Sequence, residues 1–83
     1  MSQVIRSPKQ LGAAIRRARQ SKGFTQTQVA RLSGMRQATI SEIESGHSGI
    51  TLASLFTLLA ALDMELVADS RSGENAPSIA DIF

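Results

Sequence analysis

An all-α bundle of four to five helices, ending in one short C-terminal strand, is the fold class predicted for these 83 residues. Three observations predict it. Apolar residues recur at helical spacing from Leu11 to Ala18 and from Leu52 to Leu62. Ser7, Thr25 and Thr51 each stand where a helix would be capped. From Met64 the period falls to two, with Met64, Leu66 and Ala68 alternating with Glu65, Val67 and Asp69. The chain divides into an N-terminal extension over 1–6, one domain over 7–69 and a flexible tail over 70–83.

Val4 and Ile5 in the extension are too few for a core element but suit a sheet edge. Helix 1 starts at Ser7, with Pro8 at the first helical position and Gln10 completing a capping box. Leu11, Ala14, Ile15 and Ala18 form its inward stripe, Arg16, Arg17 and Gln20 face out, and Gly23 ends it. Phe24 then covers the end of the core. Helix 2 runs from Gln26 to Ser33, opened by a second capping box from Thr25 to Gln28, with Val29, Ala30 and Leu32 available for burial. Gly34 supplies a left-handed turn between Ser33 and Met35.

Helix 3 is expected from Gln37 to Ser45 with Arg36 at its cap. Ile40 and Ile43, three apart, share the inward face, and Ala30 is small where the helices cross. Two short helices joined by this tight turn form a helix-turn-helix. Arg36, Gln37, Ala38, Thr39, Ser41 and Glu42 are left outside, and an exposed helix start carrying Arg, Gln, Thr and Ser suits base edges and phosphates in a major groove.

Charge supports the same reading. Eight basic residues and no acidic one precede Glu42, whereas from Glu42 onward seven acids face one base, Arg71. Such polarity suits one half for nucleic acid and the other for a different encounter. Without cysteine there is neither a disulfide framework nor a thiolate metal site, which suits a reducing cytoplasm. No apolar run approaches the length of a membrane span, and Met1-Ser2-Gln3 lacks a signal-peptide pattern. One loop histidine, His47, and no paired acids leave nothing to build a catalytic site from, so no enzyme activity, cofactor, metal or small-molecule ligand is expected. A core this small, burying roughly 60% of its unfolded surface, calls for help from a second subunit.

Gln26, Ala30, Gly34, Ile40 and Ile43, followed by Ile43-Glu44-Ser45-Gly46, resemble the pattern of the Cro/C1-type, or XRE, family of bacterial and phage regulators. The resemblance implies a lambda-repressor-like bundle that binds DNA. Ser7-Pro8-Lys9-Gln10-Leu11, Arg36-Gln37-Ala38-Thr39-Ile40-Ser41 and the stretch from Leu62 to Ala68 are similar to the HipB-like antitoxins within that family. That likeness implies an autorepressor with double-stranded operator DNA and a HipA-like Ser/Thr kinase toxin as partners. A plain Cro/C1-like repressor without a toxin is the alternative, and an interaction adaptor with a vestigial motif stands further off.

Roles are expected residue by residue. Arg36, Gln37, Ala38 and Ser41 are the base-reading set: Gln37 for adenine, the Ala38 methyl for a thymine methyl, and Arg36, which takes the cap where many relatives carry Ser or Thr, for a guanine edge or a phosphate. Thr25, Gln26, Thr39, His47 and Ser48 are the phosphate set, with Thr39 alternatively closing the cap and Gln26 also bracing a recognition-helix side chain, as the resemblance implies. Glu42 is placed beyond the groove in preference to a cytosine contact. Arg19, at the margin of its stripe, reads as the structural partner of Glu44 in preference to a phosphate contact, because the family ties helix 1 to the recognition helix by such a pair.

Helix 4, capped by Thr51, is expected to bury Leu52, Leu55, Phe56, Leu59 and Leu62, leaving Leu58 for a subunit contact. The alternating segment needs a partner, and the simplest is the same segment of a second copy. Met64, Leu66, Val67 and Ala68 would then build an antiparallel intersubunit sheet, with Val4-Ile5 as the local alternative. Such a homodimer places two recognition helices about 34 to 36 Å apart over a pseudo-palindrome. Ile79, Ile82 and Phe83 follow a stretch with little to bury, and are read as an anchor for a partner or as a frayed end.

Overall fold

The computed structural model describes residues 3–47 and 49–71. Four helices follow in order: α1 (Pro8–Ser21), α2 (Gln26–Ser33), α3 (Gln37–Glu44) and α4 (Leu52–Ala61). Ser7 caps α1, accepting from the Gln10 N–H. The Gln10 carboxamide returns its bond to the Arg6 N–H at 2.5 Å, one residue ahead of the position that a reciprocal box requires. At α2 the box is complete, with the Thr25 side chain and Gln28 satisfying each other's backbone. Gly34 closes α2 in the left-handed region at φ 71, and the Met35 N–H returns to the Ala30 carbonyl at 2.9 Å. The same closure ends α4, but there Asp63 takes the left-handed position, at φ 56, with the Met64 N–H bonded to the Leu59 carbonyl.

Ile15, Val29, Ala30, Ile40, Ile43, Leu55, Leu58, Leu59 and Leu62 form one core, flanked by Leu11, Phe24, Met35, Ile50 and Met64. Helix α3 packs against α1 and α2, and α4 packs against α2. The approach of α3 to α1 is closest at Gly12. A methyl group there would meet the Ile43 and Glu44 carbonyl oxygens, the latter at 2.9 Å. This contact passes unnoticed in the apolar stripe of α1, because a glycine within a helical pattern carries no hydrophobic signal.

Three expectations need correction. Leu58 is no subunit contact, since it is fully buried, whereas Leu52 and Phe56 are 72% and 53% exposed. Helix α4 is apolar around much of its circumference, so the rows Leu52–Phe56–Leu59 and Leu55–Leu58–Leu59–Leu62 compete for the core, and the second is the one buried where α4 packs against α2. Leu32 is likewise on the outside, at 58% exposure. Finally, no strand is formed among the described residues, where the segment after Met64 has no ladder. Met64 turns toward the core, while Leu66, Val67 and Ala68 are exposed.

Residues 3–6 of the N-terminal extension lie against the body of the domain. Gln3 accepts from the Arg17 guanidinium, and residues 3–6 line a shallow cavity together with Val67, Asp69, Ser70 and Arg71. Val4-Ile5 thus runs near the alternating segment of its own chain, although no backbone ladder joins them.

Candidate nucleic-acid interface

Helix α3 divides cleanly into two faces. Ile40 and Ile43 are buried, while Arg36, Gln37, Ala38 and Glu42 are exposed and Thr39 and Ser41 are half-buried. Arg36 occupies the N-cap with φ −78 and ψ 145 and makes no side-chain cap bond. Its guanidinium is therefore not committed to the helix end, and the first N–H groups of α3 have no side-chain acceptor from the cap residue. Thr39 makes no cap bond either; its backbone N–H returns to the Arg36 carbonyl at 3.0 Å. Basic side chains at Arg6, Lys9, Arg16, Arg17, Lys22, Arg31 and Arg36 are exposed in the half of the chain that holds this helix.

Behind the exposed start of α3 runs a chain of hydrogen bonds. The Arg19 guanidinium grips Glu44 with Nε to Oε2 at 2.6 Å and Nη2 to Oε1 at 3.0 Å, while its Nη1 donates to the Phe24 carbonyl at 2.9 Å. The side chains are 12% and 4% exposed. Arg19 is held above its ordinary guanidinium value, chiefly by the hydrogen bond to Glu44, with burial opposing and the charge of Glu44 adding. The pair ties α1 to the end of α3. Glu44 Oε1 also accepts from Gln26 Nε2 at 3.1 Å, and Gln26 Oε1 in turn accepts from Gln37 Nε2 at 2.6 Å. Gln26 is half-buried at the first turn of α2 and Gln37 is exposed at the first turn of α3. The structure therefore joins Arg19, Glu44, Gln26 and Gln37, residues that the sequence reading placed in three separate sets. The link from Glu44 to Gln26 has no sequence signal, because two polar residues 18 positions apart carry no common period.

Other expected residues lie around this center. Thr25 is engaged in capping α2 and is exposed. Ser41 presents its carbonyl to Ser45 Oγ at 2.9 Å. His47 is exposed, with its N–H donated to the Glu42 carbonyl at 3.0 Å and Nδ1 at 3.3 Å from the same oxygen. It also lines an apolar cleft of about 290 Å3 with Ile5, Pro8, Leu11, Ile43 and Ile50. Ser48, Ile79, Ile82 and Phe83 lie outside the described residues. Among the described residues no His, Asp or Glu cluster is placed to hold a metal ion, and no helix is long and apolar enough to cross a membrane.

The family profile described as Helix-turn-helix matches residues 15–68, which span the end of α1 through the alternating segment. This chain belongs to the helix-turn-helix family of Cro/C1 type. Within the family it is 39% identical over 64 residues to Antitoxin HipB of Escherichia coli (strain K12), covering 77% of this chain and 73% of that protein. A chain of the solved HipA-HipB-O2-O3 complex superposes with a TM-score of 0.75 at 37% identity, over 84% of this chain and all of its own length. The restriction-modification controller protein C.AhdI from Aeromonas hydrophila superposes with a TM-score of 0.66 at 31% identity, over 70% of this chain and 88% of its own. As a helix-turn-helix chain, it shares its bundle with controllers of more than one kind, and its identity with the HipB antitoxin is the higher.

Proposed function

We propose that the chain is a sequence-specific DNA-binding repressor that acts as the antitoxin of a HipBA-type module, represses its own operon and binds a HipA-like Ser/Thr kinase toxin. The DNA half of the reading is carried by the exposed first turn of α3, where Arg36, Gln37 and Ala38 stand clear of the fold on a helix whose other face is core. The antitoxin half is supported by similarity to the HipB protein and to a chain found in complex with HipA.

In this reading Gln37, Arg36, Ala38 and Ser41 meet base edges, while Thr25, Gln26, Thr39, His47 and Ser48 meet phosphates on either side. Residues 7–69 act as the DNA-binding and dimerisation domain, 1–6 as an extension and 70–83 as a tail whose Ile79, Ile82 and Phe83 contact the toxin. Two copies pair through Leu66, Val67 and Ala68, and the exposed Leu52 and Phe56 of α4 take the place first assigned to Leu58. The protein works as a binding module, not a catalyst, in the cytoplasm where its DNA resides.

Two experiments test this. Gln37→Ala should weaken operator binding by about 1 to 3 kcal/mol and relax base preference at one position of each half-site. Equal loss on operator and random DNA would remove Gln37 from base reading. The full chain and a truncation ending at Ser70 are then co-purified with the product of the adjacent gene. Retention of a kinase-fold partner supports the antitoxin, and loss of it on truncation assigns the contact to the tail. Tight DNA binding with no partner would leave a plain Cro/C1-like repressor.

A further inference from the structure

We propose that Glu44, oriented by Arg19, sets the hydrogen-bond polarity of Gln26 and through it of Gln37, and thereby makes the recognition helix choose adenine over guanine. The inference rests on the DNA-binding reading of Gln37 given above and adds buried determinants to it.

The argument starts from what each group is able to do. A carboxylate accepts on both oxygens and donates on neither, and Glu44 is paired with a guanidinium that only donates. Whatever hydrogen-bonds to Glu44 must donate, and a glutamine side chain donates only through Nε2. Gln26 therefore turns Nε2 toward Glu44 Oε1, at 3.1 Å, and its carbonyl oxygen points the other way. Reversing the amide would set two acceptors against each other beside a carboxylate that is 4% exposed, where water has little room to intervene. Gln37 then faces an acceptor, Gln26 Oε1, at 2.6 Å, and must present Nε2 to it. Two amides, each free to flip when isolated, are held in one orientation by a charge at the far end of the chain.

What remains free on Gln37 is one carbonyl oxygen and one N–H. In the major groove adenine offers an acceptor at N7 and a donor at N6, which that pair matches; guanine offers acceptors at both N7 and O6, and would leave the Gln37 oxygen facing another oxygen. An unlocked Gln37 is free to turn its NH2 outward and to tolerate guanine. Arg19 and Glu44 are thus positioning residues for base choice, acting through Gln26 without touching DNA.

The test uses the full chain. A randomised duplex pool gives the preferred half-site of the wild type, and Gln37→Ala identifies the position that Gln37 reads. Duplexes carrying each of the four bases there are then titrated with wild type, Gln26→Met and Glu44→Gln at low salt, where phosphate contacts keep weakened variants in range. Gln26→Met leaves the Arg19–Glu44 pair intact and so reports on the chain even if Glu44→Gln unfolds. The expected result is a fall of about tenfold in the adenine-to-guanine preference at that one position, with preferences elsewhere in the site unchanged. Losing the Gln26 phosphate contact lowers affinity for all four bases alike and does not count; an adenine-to-guanine ratio unchanged in Gln26→Met, or in a folded Glu44→Gln, would overturn the proposal while leaving Gln37 as a base reader. If Gln37→Ala alters preference at no position, the reading of Gln37 itself falls, and this inference falls with it.

Discussion

Arg36 occupies the N-cap of α3 and makes no side-chain cap bond there. Its place at the cap of α3 follows from the turn at Gly34 and the inward pair Ile40 and Ile43, and its lack of a cap bond follows from chemistry, since a guanidinium has no acceptor to offer a backbone N–H. Which DNA group it meets is a matter for salt. Arg36→Ala is expected to weaken operator binding; a log–log salt slope shallower by about one assigns it to a phosphate, and an unchanged slope to a base. Arg19 presents the opposite case, a charge committed to the interior. With the pair almost wholly buried, Arg19→Ala leaves Glu44 uncompensated and should lower stability by about 3 to 5 kcal/mol in denaturant melts. Because Arg19 titrates higher in the folded state than in the unfolded chain, its contribution is complete throughout the neutral range. It is lost only as pH rises through the raised value, far into alkali, so the deficit of the variant should not grow between neutral and mildly alkaline buffer.

Elements were legible where caps and single stripes agree. The boundaries of α2 and the start of α3 follow from Thr25, Gln28 and Gly34, each with one conformational role. Helix α4 is legible in part: Leu55, Leu59 and Leu62 are buried as expected, but Leu58 takes the place expected for Leu52 and Phe56, because its apolar residues fill two overlapping rows and periodicity alone does not choose between them. The contact of α1 with α3 was invisible for a different reason, since it is made by a side chain that is not there. Gly12→Ala would drive a methyl group into the Ile43 and Glu44 carbonyls. Although alanine favours helix by about 1 kcal/mol, moving α3 should outweigh that gain, with a net loss of about 1 to 3 kcal/mol in thermal or chemical unfolding. Operator affinity should fall with it, because the same shift displaces Glu44 and the side chains it orients. A variant as stable as wild type would show that α1 and α3 separate without strain.

At the scale of the whole molecule, the unfinished business is on the surface. Leu66 and Val67 are 49% and 80% exposed on a segment with alternating character, and Leu52 and Phe56 are exposed on α4. A second copy would cover such residues and supply the ladder that a lone strand lacks. Leu66→Lys is expected to yield a monomer in sedimentation and to abolish cooperative operator binding while leaving the helical circular dichroism intact. A variant that still sediments as a dimer would rule out pairing through this segment. In a dimer proposed this way, the basic first half that holds α3 is the half whose charge suits DNA.

Helix order, the turn, the outward residues of α3 and the family are legible in residue order alone, because each depends on local conformation or on a fixed spacing along the chain. Tertiary structure decided which row of α4 is buried, that Gly12 admits α3, and that Glu44 reaches Gln26 and through it Gln37. Those outcomes depend on where one helix meets another, and a distance across the fold leaves no period in the sequence.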